Sequence, residues 1–160
     1  MTIWCRGIRG ATTCDENSRQ AILTATREML QLMIAANDLR PEDLASAIFT
    51  TTPDLNAEFP AVAARELGWI DTALMCGHEM SVPGSLPRCI RVLVHWNTER
   101  QASEVIHIYA RGASNLRPER AARMSALSPH PLPLSLTGRG EIPHQEESDA
   151  PSPAQEGAGG

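Results

Sequence analysis

Residues 88–96 of the chain read Arg-Cys-Ile-Arg-Val-Leu-Val-His-Trp, and this stretch decides the fold. Its side chains alternate as they do along a β-strand, in which successive residues point to opposite faces of a sheet. One face is uniformly apolar and consists of Ile90, Val92, Val94 and Trp96. The other face is mixed and consists of Cys89, Arg91, Leu93 and His95. The stretch therefore predicts a strand with one face in the core and an arginine on the other.

Four further segments have the composition of strands. Residues 3–8 form an apolar opening segment that runs into a loop at 10–13, and residues 47–52 are rich in β-branched and aromatic side chains. Residues 72–76 are a shorter candidate. Residues 105–110 alternate in the same way as 88–96. We expect all of them to join one sheet.

Two segments between these strands are predicted to be helical. Asn17 and Gln20 have the spacing of a capping box, apolar residues then recur at helical spacing, and the helix is expected to end near Asn37. The second helix has Pro60 in its first turn and Gly68 as its stop signal. The order β, α, β, α, β, β, β predicts an α+β fold, a mixed sheet with helices on one side.

Length and composition limit the domain organisation. A chain of 160 residues with 42% hydrophobic content has room for one domain with a single core. The sequence after residue 120 is rich in Pro, Gly, Ser and Glu and lacks periodicity. We therefore predict a domain at 1–120 and a disordered tail at 121–160.

Charge and residue usage exclude several functions. The net charge of -5 without a basic cluster argues against nucleic acid as a partner. All fourteen basic side chains are arginine, which excludes Schiff-base chemistry on lysine and a P-loop. No apolar stretch has the length of a signal sequence or membrane span, so a cytoplasmic protein without a membrane partner is expected. Its four cysteines should be free thiols, and Cys76 with His78 lacks a second ligand pair, so no metal is expected.

Three charged residues are candidates for binding or catalysis. Arg91 lies within an apolar run, where a charge must be paired or must face a ligand. Arg9, between Gly7 and Gly10, has the surroundings of an anion-binding arginine, and Glu79 is a lone acid in a loop. Taken singly, residues of these types are more often ion-paired or solvated surface residues than functional ones.

Seven short segments occur in an order that points to one family. They are 6–13 (RGIRGATT), 52–55 (TPDL), 59–61 (FPA), 65–67 (REL), 79–80 (EM), 89–92 (CIRV) and 116–118 (LRP). In this order and spacing the chain closely resembles the AroH-class chorismate mutases, over nearly the whole predicted domain. The resemblance implies a cofactor-free isomerase that converts chorismate to prephenate for phenylalanine and tyrosine biosynthesis. It also implies a homotrimer packed as a pseudo-α/β-barrel, with active sites in the clefts between subunits.

The resemblance also implies which side chains line each cleft. One subunit is expected to contribute Arg9, Cys76, Glu79, Arg91 and Tyr109. The adjacent subunit is expected to contribute Phe59, Ala61 and Arg65, and the mouth is expected to be closed by Leu116 and Arg117. The catalytic residues would be Arg91, Glu79 and Arg9, and the others would bind substrate.

Two other classes of protein fit the same composition. One is a trimeric imine or enamine deaminase that binds carboxylates between subunits. The other is a non-catalytic trimeric module that senses a carboxylated metabolite. Both would use an interfacial arginine, but neither would need Glu79 and Arg91 around an ether.

Overall fold

The computed structural model describes residues 1–120 of the chain. Within them a mixed sheet of five strands has the order β3-β2-β4-β1-β5. The elements in chain order are β1 (Trp4–Thr13), α1 (Arg19–Asn37), β2 (Leu44–Thr51), α2 (Ala61–Glu66), β3 (Ala73–His78), β4 (Cys89–Thr98) and β5 (Ile108–Tyr109). Three 3₁₀ turns accompany them, at Pro41–Asp43, Ala102–Glu104 and Arg111–Leu116. This architecture confirms the predicted α+β fold, while the predicted tail at 121–160 lies outside the described residues.

The central strand β4 organises the sheet. It pairs antiparallel with both β1 and β2, whereas β2 with β3 and β1 with β5 pair in parallel. The predicted apolar face of β4 is buried, with Ile90 and Val94 fully inaccessible and Trp96 4% exposed. That face packs against α1, whose residues Met29 and Met33 are also fully buried.

Gly10 allows α1 to lie close to β1. A Cβ atom built on this glycine would come within 2.6 Å of the Met33 sulfur and 2.9 Å of a Val92 methyl group. Both distances are shorter than real side-chain contacts, so any larger residue would push the helix away. The glycine thus sets the distance between helix and sheet directly behind Arg9 and Ala11.

The helix ends follow local hydrogen bonding, and one predicted cap was wrong. The N-cap of α1 is Ser18, whose hydroxyl accepts a hydrogen bond from the backbone of Ala21 at 3.2 Å. Asn17 instead accepts hydrogen bonds from the backbone N–H groups of residues 56 and 57, at 3.0 Å each. The predicted stop of the second helix is confirmed, because Gly68 takes a φ of 94° just after it.

Two predicted strand boundaries were also wrong. β1 continues through the glycine and threonines to Thr13, because its ladder with β4 runs without interruption from Trp4 to Thr13. The strand predicted at 105–110 is only Ile108–Tyr109. The buried Asn37 at the end of α1 bonds both the N–H (2.9 Å) and the C=O (2.8 Å) of Ile106, so a side chain replaces the strand partner there.

The sheet face opposite the helices is largely uncovered in the single chain. Leu93 is 36% exposed and Met75 60% exposed on this face. Exposed apolar side chains in such a cluster are typical of an interaction surface. Separately, no helix within residues 1–120 is long and apolar enough to cross a membrane.

Candidate active site

One cross-strand row on the uncovered face brings together side chains from four strands. Tyr109 of β5 is in register with Ala11 of β1, Ala11 with Arg91 of β4, and Arg91 with Thr50 of β2. Residues in register share a face, so all four point away from α1. The alternation of β4 forces this placement, because its odd-numbered residues cannot face the core when Ile90 and Val92 do.

Arg91 is held by a carboxylate at the end of the neighbouring strand. Its Nη1 donates to Oε2 of Glu79, and the hydroxyl of Thr50 donates to Oε1 of the same carboxylate at 2.6 Å. The backbone N–H of Glu79 is itself fixed by the C=O of Thr51 at 2.8 Å. The side chains of Arg91 and Glu79 are each 21% exposed. The guanidinium is therefore oriented in advance and only partly solvated.

Arg9 adds a second guanidinium one row away. It is in register with Leu93, two residues along β4 from Arg91, and its side chain has no acidic partner within residues 1–120. The pKa of Arg91 is lowered first by burial and then by the positive charge of Arg9. Two arginines that repel each other across a half-buried surface favour an anion between them.

Tyr109 is enclosed rather than open. It is 2% exposed and packs with Ala11, Ala113 and the partly buried Leu86. Since only the small Ala11 separates it from Arg91 in the row, the phenol and the guanidinium border the same part of the face. That both contribute to one site stays a prediction.

Cys76 lies on the other face of the sheet. It is in register with the fully buried Phe49 and packs against the main core. Burial raises the pKa of its thiol, an effect opposed by a hydrogen bond from the backbone of Ala61 and by the charge of Arg65. Within one chain Cys76 therefore does not share a face with Glu79, and its predicted place in the cleft stays a prediction. The two residues are three positions apart along an extended chain, which puts them on opposite faces.

The other predicted residues lie around α2 and in the C-terminal 3₁₀ turn. Phe59 is 67% exposed just before α2, Ala61 is buried in its first turn, and Arg65 is exposed in its last turn. Leu116 is 37% exposed at the end of the turn that follows Tyr109. Arg117 comes next and forms a 3.5 Å ion pair with Glu119.

The structure adds two residues that were not predicted as part of the site. Thr50 fixes the Glu79 carboxylate, and Ala11 provides the space between Tyr109 and Arg91. Thr50 lies in a segment predicted as a strand and Ala11 in one predicted as a loop, so pairing register was the missing information. Among residues 1–120, no group of three or more His, Cys, Asp or Glu side chains is arranged to hold a metal ion.

Fold and site together define an α+β protein with two arginines on one face of a mixed sheet, an arrangement suited to a small anion. The family model described as chorismate mutase type I matches residues 5–120. The chain belongs to this chorismate mutase family, which confirms the sequence-based assignment and makes the protein an isomerase.

Individual relatives agree with the family assignment. Chorismate mutase AroH of Thermus thermophilus is 50% identical over 115 residues, which cover 71% of this chain and 94% of the relative. Chorismate mutase AroH of Bacillus subtilis (strain 168) is 41% identical over 115 residues, covering 71% and 91%. The structure of a chorismate mutase from Clostridium thermocellum superimposes with a TM-score of 0.67 at 48% identity, covering 68% of this chain and 97% of that one.

Proposed function

We propose that the protein rearranges chorismate to prephenate on the sheet face that carries Arg91, and that it does so as a homotrimer. The observation that carries this proposal is the register row in which Tyr109, Arg91 and Thr50 share one face, with Glu79 paired to Arg91. A dicarboxylate substrate fits the second guanidinium, that of Arg9, which lies beside that row without an acidic partner among residues 1–120. The family supports the function, and this geometry supports the proposed roles of individual residues.

The reaction needs electrostatic stabilisation and geometry rather than proton transfer. An ether C–O bond breaks while a C–C bond forms within one molecule, and negative charge develops on the ether oxygen. A donor aimed at that oxygen stabilises the transition state more than the ground state. Arg91 takes this role, because the strand and Glu79 fix its guanidinium before substrate arrives and burial weakens competition from water.

The other charged residues position the substrate. Arg9 binds a carboxylate through its planar fork and holds the compact conformer in which the two carbons meet. Glu79 accepts a hydrogen bond from the ring hydroxyl through an oxygen that Arg91 leaves accessible. Tyr109 donates to the side-chain carboxylate from the far end of the row.

The homotrimer is proposed because one chain divides the predicted site between two faces. Arg91, Glu79 and Arg9 are on the uncovered face, whereas Cys76 and α2 are on the helix side. A neighbouring subunit that brings Phe59, Ala61, Arg65 and Cys76 against the uncovered face would complete the site. It would also bury the exposed apolar side chains of that face. Leu116 and Arg117 then close the mouth.

Loss of chorismate absorbance with purified protein tests the activity. Conversion well above the spontaneous rate is expected, and it should be lost in Arg91→Ala. The matched control is Arg40→Ala, because Arg40 pairs with Asp43 at 2.9 Å on the surface and its side chain is 64% exposed. Conversion at the spontaneous rate would rule out the function, and a fully active Arg91→Ala would rule out the role of Arg91.

Complementation between two inactive variants tests the shared site. One variant carries Arg91→Ala, and the other carries Phe59→Ala with Arg65→Ala. If each site takes these residues from different subunits, unfolding and refolding an equal mixture should restore about a quarter of wild-type activity, by random assembly at a heterologous interface. Mixed protein as inactive as its parents would contradict shared sites. Light scattering of the wild type then counts the subunits.

A further inference from the structure

The segment that holds Tyr109 is supported by very few backbone hydrogen bonds. Its strand, β5, has only two residues. Beyond their pairing with β1, the next residue, Ala110, donates its N–H to the C=O of Ala11 at 2.9 Å and accepts at its C=O from the N–H of Ala113 at 3.0 Å. Ile106, two residues before β5, is bonded by a side chain of α1 instead of a strand. A strand this short does not fix its own position, so a side-chain anchor is needed.

Arg111 provides an anchor two residues after Tyr109. Its Nη2 and Nε donate to one oxygen of Glu28 in α1, at 2.7 and 3.2 Å, and its Nη1 donates to the C=O of Thr13 at 3.4 Å. The carboxylate of Asp15 lies 3.9 Å away. One guanidinium thus joins the start of the 3₁₀ turn, the end of β1 and the middle of the long helix.

The backbone around Arg111 is shaped by the same anchor. Arg111 takes a φ of 49°, in the left-handed region that non-glycine residues rarely adopt. The next N–H, that of Gly112, donates to the hydroxyl of Thr13 at 3.1 Å, and a Cβ on Gly112 would meet this hydroxyl at 3.0 Å. A positive φ at a non-glycine residue is costly in free energy, so the surrounding structure must hold this conformation in place. The bonds to Glu28 and Thr13 hold it.

We propose that Arg111 is a positioning residue: through Glu28 and Thr13 it fixes the distance of Tyr109 from Arg91. The inference rests on the role given to Tyr109 in the proposed function. Arg111 does not touch the site face, since its partner Glu28 belongs to the helix on the other side of the sheet. It acts on the substrate only through the place it gives to the phenol and to the turn ending at Leu116.

This inference is testable because Tyr109 is the chain's single tyrosine. Protein labelled with ¹³C-tyrosine gives ring signals from this residue alone, in the full chain and without a probe. In Arg111→Met these signals should shift or broaden, and kcat/KM should fall about tenfold, since displacing a positioning group by about 1 Å can cost up to about 100-fold. Arg40→Met, which breaks a surface ion pair elsewhere, should change neither.

Two further variants separate positioning from folding. Glu28→Gln leaves Arg111 in place but removes the charge it binds, and it should move the ring signals in the same direction by a smaller amount. The reversed pair, Arg111→Glu with Glu28→Arg, should recover part of kcat/KM. Thermal unfolding shows whether Arg111→Met folds. If it does not, the ring signals and kcat/KM of Glu28→Gln and of the reversed pair decide whether Arg111 positions Tyr109.

The results that overturn the proposal are defined by the same measurements. Unmoved ring signals in the variants of the pair overturn it, and so do moved signals with kcat/KM within about twofold of wild type. Tyr109→Phe is measured in parallel. If that variant is fully active, the failure belongs to the proposed function of Tyr109. If it is impaired while the ring signals stay fixed in Arg111→Met, the failure belongs to Arg111 alone.

Discussion

Replacement of Arg91 by lysine should lower kcat by about 100- to 1000-fold. A preorganised donor to a developing oxyanion contributes about 3 to 4 kcal/mol, and each 1.36 kcal/mol corresponds to about one decade in rate. The structure favours the upper end, because Arg91 is 21% exposed and burial lowers its pKa, so its charge is poorly screened by water. Lysine keeps the charge but has no planar fork, so it does not reproduce the fixed geometry in which one N–H group is bound to Glu79 and another is aimed at an ether oxygen.

Replacement by alanine should be more harmful than replacement by lysine. Without Arg91, the carboxylate of Glu79 keeps only the hydrogen bond from Thr50 and faces an anionic substrate. Removing the charge of Glu79 as well should therefore not lower the rate further. The double variant Arg91→Ala with Glu79→Gln should be no slower than Arg91→Ala alone. Such non-additivity is expected for residues that act as a unit.

Steady-state kinetics from chorismate absorbance separate the possible roles of Arg91. Loss of an interaction made only in the transition state lowers kcat and leaves KM nearly unchanged, whereas loss of uniform binding raises KM. Arg40→Lys, at an exposed ion pair, should match the wild type. The reasoning is refuted if Arg91→Lys keeps kcat within about tenfold, or if its whole loss lies in KM.

Three other outcomes follow from the structure. Glu79→Gln should lower kcat/KM by about 10- to 100-fold, measured in the same assay, because it frees the guanidinium that the carboxylate orients. Gly10→Ala should lower the free energy of unfolding by about 1 to 3 kcal/mol in urea titrations, because its new methyl group meets a methionine sulfur at 2.6 Å. Burial raises the pKa of Cys14 and Cys89 to about 11. At pH 8, iodoacetamide should therefore modify the exposed Cys5 in the native protein, but Cys14 and Cys89 only after unfolding. Peptide mass spectrometry identifies the modified residues. Since the unfolded thiols ionise near 9.0, stability should also fall as pH rises from about 9 towards about 11.

The sequence predicted those parts of the fold that depend on local periodicity. The alternation of 88–96 identified both faces of β4, and Ile90, Val92 and Val94 are buried as expected. The single arginine on the mixed face of that strand also turned out to be the one with a carboxylate partner. Periodicity is sufficient here because burial of one face determines the direction of every side chain in the strand.

Parts that depend on contacts between distant residues could not be predicted in this way. Residues 105–110 alternate like a strand, yet a side chain 69 positions earlier, Asn37, takes the backbone bonds of Ile106. The anchoring of Arg111 by Glu28 spans 83 positions. In a single sequence nothing distinguishes these polar residues from solvated ones, since their role is defined only by which partner the fold brings near.

The placement of Cys76, in contrast, was within reach of the sequence. It lies three positions before Glu79, and an odd separation along an extended chain puts two side chains on opposite faces. A site that contains both side chains therefore cannot be built from one copy of this strand, whatever the rest of the fold does. Since the same parity places the thiol beside Ala61 and Arg65 on the helix side, the proposed site takes all three together from a second subunit. The alternation of side chains along β3 thus argues for a site shared between subunits, and it does so independently of the exposed apolar side chains on the uncovered face. Refolding of an equal mixture of the two inactive variants tests both arguments.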